Sequence, residues 1–308
     1  MTRRPNACLL ILWICLICYS KSAFSQTNAP VIDFASDTQA PLFVEKIFLR
    51  SNHNEDATRL IFKDITTLHP SGLFILGDVV SLGYQDTKWK QVDTSIKVLR
   101  KEGVPVYATL GNHELMINAA KGEKRFRSRF PAYEPSGYVE TIDSVAIILL
   151  NSNFKKMTAA AIKNQDAWYK NALHQLDSDA SVKFVVVGCH HSPFTNSRVV
   201  APSLTVQQKF VGPFLKEKKC VLFLSGHSHN FEQFKVSGKQ FLVIGGGGGI
   251  HQPLNTDTTK MPDISANYKP MFHYLELRRV RDSIQVTSRQ LKPDFSGFND
   301  GLTFTVTQ

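Results

Sequence analysis

The sequence predicts an α/β (α+β) fold built from two packed mixed sheets flanked by helices. Apolar runs alternate with helical patterns from residue 31 to residue 225, whereas after residue 231 the helical patterns stop and hairpin-like strands follow. No Pro- or Ser-rich linker separates the two regions. A strand–helix–strand succession requires parallel pairing with right-handed crossovers, and hairpin-linked strands pair antiparallel, so both kinds of pairing are expected.

Taken in order, VIDFAS at 31–36 reads as the first strand, ending at Asp37. Apolar spacing at Leu60, Ile61, Ile65 and Leu68 predicts a helix near Glu55–Leu68, and GLFIL at 72–76 is the next strand, stopping at Gly77 and Asp78. Val92, Ile96 and Leu99 mark a helix over Trp89–Arg100, and VPVYATL at 104–110 is a strand leading into Gly111. VAIILL at 145–150, KFVVVGC at 183–189 and CVLFLS at 220–225 continue the series, with helices over Ala159–Leu176 and Val206–Lys218 between them. FEQFKV, KQFLVIG, FHYLELRRV and SIQVTSR read as antiparallel strands, and residues 251–270, rich in Pro, Asn, Asp and Thr, as a long loop.

A chain of 308 residues with 43% hydrophobic content can bury a sizeable core. Arg3 and Arg4, the apolar run Ala7–Tyr19 and the small-residue pattern Ala23-Phe24-Ser25 have the layout of a signal peptide over 1–25, which leaves 26–308 as a single domain. The protein is therefore expected to be secreted or periplasmic, with an uncleaved membrane anchor as the alternative and no span once the leader is removed. Ile17 precedes Cys18, which disfavours a lipid attachment box. Cys189 ends one apolar run and Cys220 begins another, so in parallel strands the thiols fall at opposite rims, about 20 Å apart, and both are expected free and buried.

The net charge is +10, and the leader holds Arg3, Arg4 and Lys21 with no acid, which leaves +7 for the rest. Such a surplus suits anionic substrates or surfaces. Nucleic-acid binding is disfavoured, because the basic cluster Lys121–Arg129 lacks a pattern of stacking aromatics. The sequence singles out no protein partner.

Five segments carry the chemistry: SDTQ at 36–39, GD at 77–78, GNHE at 111–114, VGCHH at 187–191 and GHSH at 226–229. Each follows an apolar run, where a buried strand would deliver ligands to one rim of a sheet. Residues two apart in an extended segment share a side, so Asp37 with Gln39, and His227 with His229, can each turn two ligands to one place. Asp78, Asn112 and His190 complete a mixed oxygen and nitrogen cage that suits Zn, Fe or Mn rather than Ca. Glycines ahead of Asp78, Asn112 and His227 let the backbone turn sharply. GGGGG at 245–249 lacks the strand–loop–helix context of a nucleotide site and reads as backbone passing close beneath the metals. There is no GxSxG elbow, which disfavours a serine hydrolase.

Read together, the motifs resemble those of the calcineurin-like metallophosphoesterases, and GNHE and the VxxH form (Val187–His190) are similar to the purple acid phosphatase branch. The resemblance spans Asp37–His229 and implies a four-layer αββα sandwich with a metal site at the strand C-terminal rim. It implies two divalent or trivalent transition metal ions (Fe, Zn or Mn) and a small-molecule phosphomonoester or phosphodiester substrate. Asp37, Asp78 and His229 would hold one ion and Asp78, Asn112, His190 and His227 the other, with Asp78 bridging. Asn112 and His113 would be the catalytic side chains, His113 binding the phosphoryl group and protonating or orienting the leaving oxygen while a metal-bridging hydroxide attacks.

His191 and His251 are further candidates for substrate binding, and Glu114 either supports the site or opens the next helix. Two features depart from the family. Gln39 stands where most members have His, and Ser81 where the purple branch has a metal-binding Tyr, with Tyr84 three residues on. The first metal site is therefore looser, uses Gln39, recruits Tyr84 or is partly empty. Adjacent His190 and His191 point to opposite sides of an extended strand, and the VxxH register favours His190 as the ligand. Gln39 also raises the rival reading, a non-catalytic metal- or ligand-binding protein on a phosphoesterase scaffold with a weakened first metal site. Retention of His113 argues against it.

Overall fold

Residues 29–308, apart from 51, 256, 258, 260 and 266, are described by a computed structural model; the leader expected over 1–25 lies outside the described residues. The strands are β1 (Val31–Ala35), β2 (Gly72–Ile75), β3 (Val106–Ala108), β4 (Tyr138–Ile142), β5 (Val145–Leu150), β6 (Phe184–Cys189), β7 (Cys220–Ser225), β8 (Phe231–Val236), β9 (Lys239–Ile244), β10 (His273–Val280), β11 (Ser283–Leu291) and β12 (Phe298–Val306). They form two six-stranded sheets, in the orders β12-β11-β10-β1-β2-β3 and β4-β5-β6-β7-β9-β8. In the first, β1, β2 and β3 are parallel and β10 joins β1 antiparallel; in the second, β5, β6, β7 and β9 are parallel with antiparallel β4 and β8 at the edges.

The helices are α1 (Phe43–Phe48), α2 (Asn54–Leu68), α3 (Asp86–Lys101), α4 (Ala119–Arg129), α5 (Ala159–Ser178), α6 (Leu204–Val206) and α7 (Gly212–Lys216). A π-helical turn over Gln207–Val211 joins the last two. Pro213 has no N–H to return to a carbonyl in the preceding turn, and the helix widens just ahead of it.

Alternation explains why β5 is apolar throughout. Val145, Ile147 and Leu149 enter the core shared with the first sheet, while Ala146, Ile148 and Leu150 pack on Tyr169 and Leu173 of α5 and on Phe210. Both faces of the second sheet are covered, as expected for a largely parallel sheet. The first sheet packs α2 and α3 through Ile61, Ile65, Ile96 and Leu99. The result is the αββα arrangement expected from the sequence.

Four elements differ from the sequence reading, which left them unassigned. Helices α1 and α4 and strands β4 and β12 each bury too little apolar surface to show a period: α1 buries no residue, α4 only Gly122 and Phe126, and β12 only Val306. Cys220 pairs in register with Val185 and Cys189 with Ser225, so the thiols sit at opposite ends of β6 and β7, free and buried. Among the described residues, no helix is long and apolar enough to cross a membrane.

Candidate metal centre

Five strand ends converge on one rim. Asp37, Asp78 and Asn112 follow β1, β2 and β3 of the first sheet, and His190, His227 and His229 follow β6 and β7 of the second. The cluster therefore straddles the seam between the sheets. Its ionisable donors form two groups, Asp37–Asp78–His229 and Asp78–His190–His227, which share Asp78.

Local backbone geometry differs from the extended presentation expected for the two x-spaced pairs. Asp37, Asp78 and His227 each adopt left-handed conformations, with φ of 58°, 48° and 66°, an arrangement uncommon outside glycine and concentrated at functional sites. The His227 N–H donates to the Asp37 carboxylate, 3.1 Å from Oδ1 and 3.0 Å from Oδ2. Gly226 is needed for room: a Cβ there would lie 2.2 Å from Asp37 Oδ2. The chain turns at His227, so that His227 meets His190 while His229 meets Asp37 across the seam.

The imidazole protons are fixed from behind. His190 Nδ1 donates to the Leu76 carbonyl at 3.0 Å and His229 Nδ1 to the Ile250 carbonyl at 2.8 Å, which leaves each Nε2 as a lone pair facing the cluster. His190 Nε2 then lies 3.1 Å from Asn112 Oδ1 and 3.2 Å from both His227 Nδ1 and Asp78 Oδ2. His229 Nε2 lies 3.4 Å from Asp37 Oδ1. The Gln39 amide is assigned by its neighbours: its NH2 donates to the carbonyls of Asp78 (2.8 Å) and Asp37 (3.1 Å), and its oxygen faces His229 Nε2 at 3.3 Å. With both rings neutral, acceptor atoms face one another in two adjacent places, and a cation in each would satisfy them. The donor set of carboxylate, amide oxygen and imidazole fits a transition metal.

Without a cation, protons take its place. Burial pushes the His190 imidazole down, but the attraction of Asp78 outweighs it and raises the group to about 9. Burial likewise opposes ionisation of Asp78, yet His190 and His113 hold its carboxyl well below the usual range. Burial, with His190 beside it, lowers His191 to about 3, so that ring is neutral.

His113 is buried beside the cluster. Its Nδ1 donates to the Ser81 carbonyl at 2.9 Å, its backbone N–H donates to Asp78 Oδ1 at 2.8 Å, and Nε2 is 3.8 Å from Asp78 Oδ2. The adjacent pair His190–His191 also differs from expectation. Strand β6 ends at Cys189, so the two rings do not diverge across a sheet: they lie 5.0 Å apart, and both stand against His227, at 5.0 and 4.5 Å. The Ser152 hydroxyl holds His191 at both its N–H (2.9 Å) and Nδ1 (2.8 Å).

His251, half-buried, follows the Ile250 that holds His229, and its Nδ1 has no partner among the described residues. The Tyr84 hydroxyl accepts from the Gln85 amide at 2.9 Å, and it is Gln39 that lies against His229. The pentaglycine segment runs beside Asp37, with Gly249 N–H on the Asp37 carbonyl at 2.8 Å, and a Cβ on Gly249 would fall 2.6 Å from the His229 ring.

Three buried groups support the site, Glu114 as one of the two roles the sequence offered for it, and Ser152 and Glu232, which the sequence did not single out. Glu114 accepts N–H groups from Asp78 (3.0 Å), Val80 (3.1 Å) and Gly111 (2.7 Å), and so ties two ligand loops together. Burial and the Asp78 charge raise its carboxyl to about 7. Glu232, buried in β8, accepts from Thr195 Oγ1 (2.5 Å), Asn196 N–H (2.6 Å) and Ser228 Oγ (3.3 Å), bracing the residue between His227 and His229. Only Glu114 carried a signal, through its place in GNHE; Ser152 and Glu232 sit in no motif.

The fold and this rim define a metallophosphoesterase, and the chain belongs to the calcineurin-like phosphoesterase family, whose family model matches residues 30–231. No curated protein sequence matches it. Similar solved structures include a purple acid phosphatase from yellow lupin (Lupinus luteus) seeds, at TM-score 0.67 and 14% identity, covering 91% of this chain and 54% of that one. The chain thus spans about half the length of the lupin enzyme. GAP50, described as the anchor in the inner membrane complex of Plasmodium, superposes at TM-score 0.63 and 14% identity, covering 91% of this chain and 89% of that one. A dimetal phosphatase from Danio rerio gives TM-score 0.56 at 13% identity, covering 91% and 99%. At these identities the likeness is one of fold.

Proposed function

We propose that this protein is an exported, metal-dependent phosphoesterase that hydrolyses small-molecule phosphomonoesters or phosphodiesters. The observation that carries the reading is the convergence of potential ligand atoms at His190 Nε2, Asn112 Oδ1, His227 Nδ1 and Asp78 Oδ2, alongside that of His229, Asp37 and Gln39. In this reading Asp37, Gln39, Asp78 and His229 hold one ion and Asp78, Asn112, His190 and His227 the other. Two bound ions of the Fe, Zn or Mn type supply a nucleophilic water at neutral pH and neutralise charge on the phosphoryl group.

The chain's own residues do the rest. Asp78, common to both groups, would be a ligand to both ions. His113, with Nδ1 committed to the Ser81 carbonyl, turns Nε2 toward the phosphoryl side, where it binds a phosphoryl oxygen and delivers a proton to the leaving oxygen. His191, neutral and held by Ser152, contributes a polar contact to substrate beside His227, and His251 does so from the loop after Ile250. The leader sequence supports export, which N-terminal analysis of the protein recovered from its native cells checks: a mature chain beginning at Gln26 is expected.

The test of the function is turnover of a panel of chromogenic phosphate mono- and diesters by metal-stripped protein reloaded with Mn, Zn or Fe. Metal-dependent turnover is expected. No turnover with any metal, at full metal occupancy, leaves the non-catalytic scaffold as the reading.

A further inference from the structure

Strand β5 is apolar throughout, and the three residues that follow it, Asn151, Ser152 and Asn153, are polar and buried. Leu150 pairs with Cys189 of β6, so this tripeptide leaves the second sheet beside His190. Buried polar groups need partners, and the partners here lie on loops of both sheets. The Ser152 hydroxyl accepts the backbone N–H of His191, the residue after His190, at 2.9 Å. The adjacent Asn153 amide donates to the carbonyl of Leu110, two residues before Asn112, at 3.0 Å. The Thr109 hydroxyl crosses the same gap and donates to the Leu150 carbonyl at 2.8 Å.

The tripeptide is itself fixed. Gln165 of α5, fully buried, pairs with both backbone groups of Asn151: its oxygen accepts the N–H at 3.0 Å and its amide donates to the carbonyl at 2.9 Å. Asn151 Oδ1 in turn accepts from the backbone N–H and from Nδ2 of Asn153, both at 2.9 Å. Asn153 Nδ2 therefore serves Asn151 and Leu110 together, which uses both of its hydrogens. Asn112 from the first sheet and His190 from the second meet at 3.1 Å across the seam. The apolar contact between the sheets is non-directional and does not hold such a distance, whereas hydrogen bonds do. The His190 ring is fixed against the end of β2 by the Leu76 carbonyl. Asn153 does the equivalent for the end of β3, a strand of only three residues. Among the described residues, no hydrogen bond of the tripeptide reaches Asp37, Gln39 or His229.

On the two-ion reading of the rim, we propose that Asn153 is a positioning residue for the ion shared by Asn112 and His190. Together with Ser152 it clamps the end of β3 to the end of β6, with Gln165 as the anchor, and so sets the separation of Asn112 and His190. The ion of Asp37, Gln39 and His229 lies outside its reach and is expected to be indifferent to it.

The test is metal content per chain after dialysis of the full chain against graded free Mn²⁺, a measurement that does not involve turnover. It compares wild type with Asn153→Asp, which keeps the side-chain volume and removes the donor to Leu110, with Gln39→Ala, and with the double variant. Asn153→Asp is expected to weaken one ion by about 10–100-fold and to leave the other within about twofold. Gln39→Ala is expected to weaken the other ion, so the double variant weakens both. Ser152→Ala, a smaller change that removes the acceptor of His191 N–H, is expected to weaken the same ion as Asn153→Asp severalfold; it supplies the reading if circular dichroism melts show that Asn153→Asp does not fold. Two ions held as in wild type by Asn153→Asp, or by Ser152→Ala in its place, would overturn the clamp. Equal weakening of both ions would overturn it as well and make Asn153 a residue of general stability, and so would a loss on the same ion that Gln39→Ala weakens. Wild type that holds fewer than two ions would sink the two-ion reading itself, and the clamp with it.

Discussion

Glu114 Oε2 accepts the backbone N–H of Asp78 at 3.0 Å, across the gap between the strand ends that carry GD and GNHE. The same oxygen takes Gly111 N–H and its partner oxygen takes Val80 N–H, so one buried carboxyl fixes the loops bearing Asp78 and Asn112. Glu114→Ala leaves three buried donors unpaired and is expected to cost on the order of 3 kcal/mol of stability. It is also expected to weaken metal binding by roughly 10–100-fold. Denaturant melts and metal titration by calorimetry check both; unchanged metal affinity would show that the loops hold their geometry without it.

Gln39 takes the place of an imidazole with a neutral oxygen whose orientation is locked by two backbone carbonyls. Gln39→Ala is expected to lower affinity for one of two ions by about tenfold or more while leaving the other in place, and Gln39→His to tighten Zn binding. Metal content per chain, measured after dialysis against graded free metal, separates the two steps. Equal loss of both ions would mean that Gln39 acts through folding rather than at one site.

The His113 ring belongs to neither metal group, but it stands beside the carboxylate they share, which its backbone N–H holds at 2.8 Å, a bond that a side-chain substitution keeps. His113→Ala is expected to lower turnover by about 10²–10⁴-fold with metal content unchanged. The loss is expected to be smaller for substrates whose leaving group needs no proton. A comparison of esters with acidic and basic leaving groups reads this out, and equal losses on both would remove His113 from the leaving-group role.

Asp33 lies buried in β1 with neither carboxylate oxygen partnered among the described residues, and burial, then Glu276 opposite it, raises its pKa well above the usual 3.8. A raised carboxyl binds its proton more tightly in the folded state, so its contribution is favourable below about pH 3.8 and is lost as pH rises through the folded value. Asp33→Asn removes that loss. It is expected to gain about 1–3 kcal/mol at pH 7 and to gain little at the acid end of that window. Urea melts at both ends decide it; no gain at neutral pH would mean that Asp33 has an unseen partner there.

Most of the rim was legible because strand ends and ligands coincide. A run such as FVVVGC must be buried on both faces, and the first polar residues after it emerge at one edge of the sheet. Asp37, Asp78, Asn112, His190, His227 and His229 were all placed by that rule and by motif order. What was not legible depends on contacts distant in sequence or on local strain. The left-handed turns at Asp37 and His227 follow from how closely Gly226 approaches Asp37, and no periodicity encodes that approach. Helix α1 escaped notice because none of the described residues buries its apolar face, and Asp33 because an inward carboxyl in a strand reads as an outward one.

The central claim is that Asp78 joins two metal sites into one hydrolytic centre. Metal stoichiometry and ester turnover, measured together on wild type and Asp78→Asn, test it most directly. The account predicts about two ions per chain and metal-dependent turnover for wild type, with both ions weakened and turnover lost in the variant. Asp78→Asn that keeps two ions and wild-type turnover would contradict it.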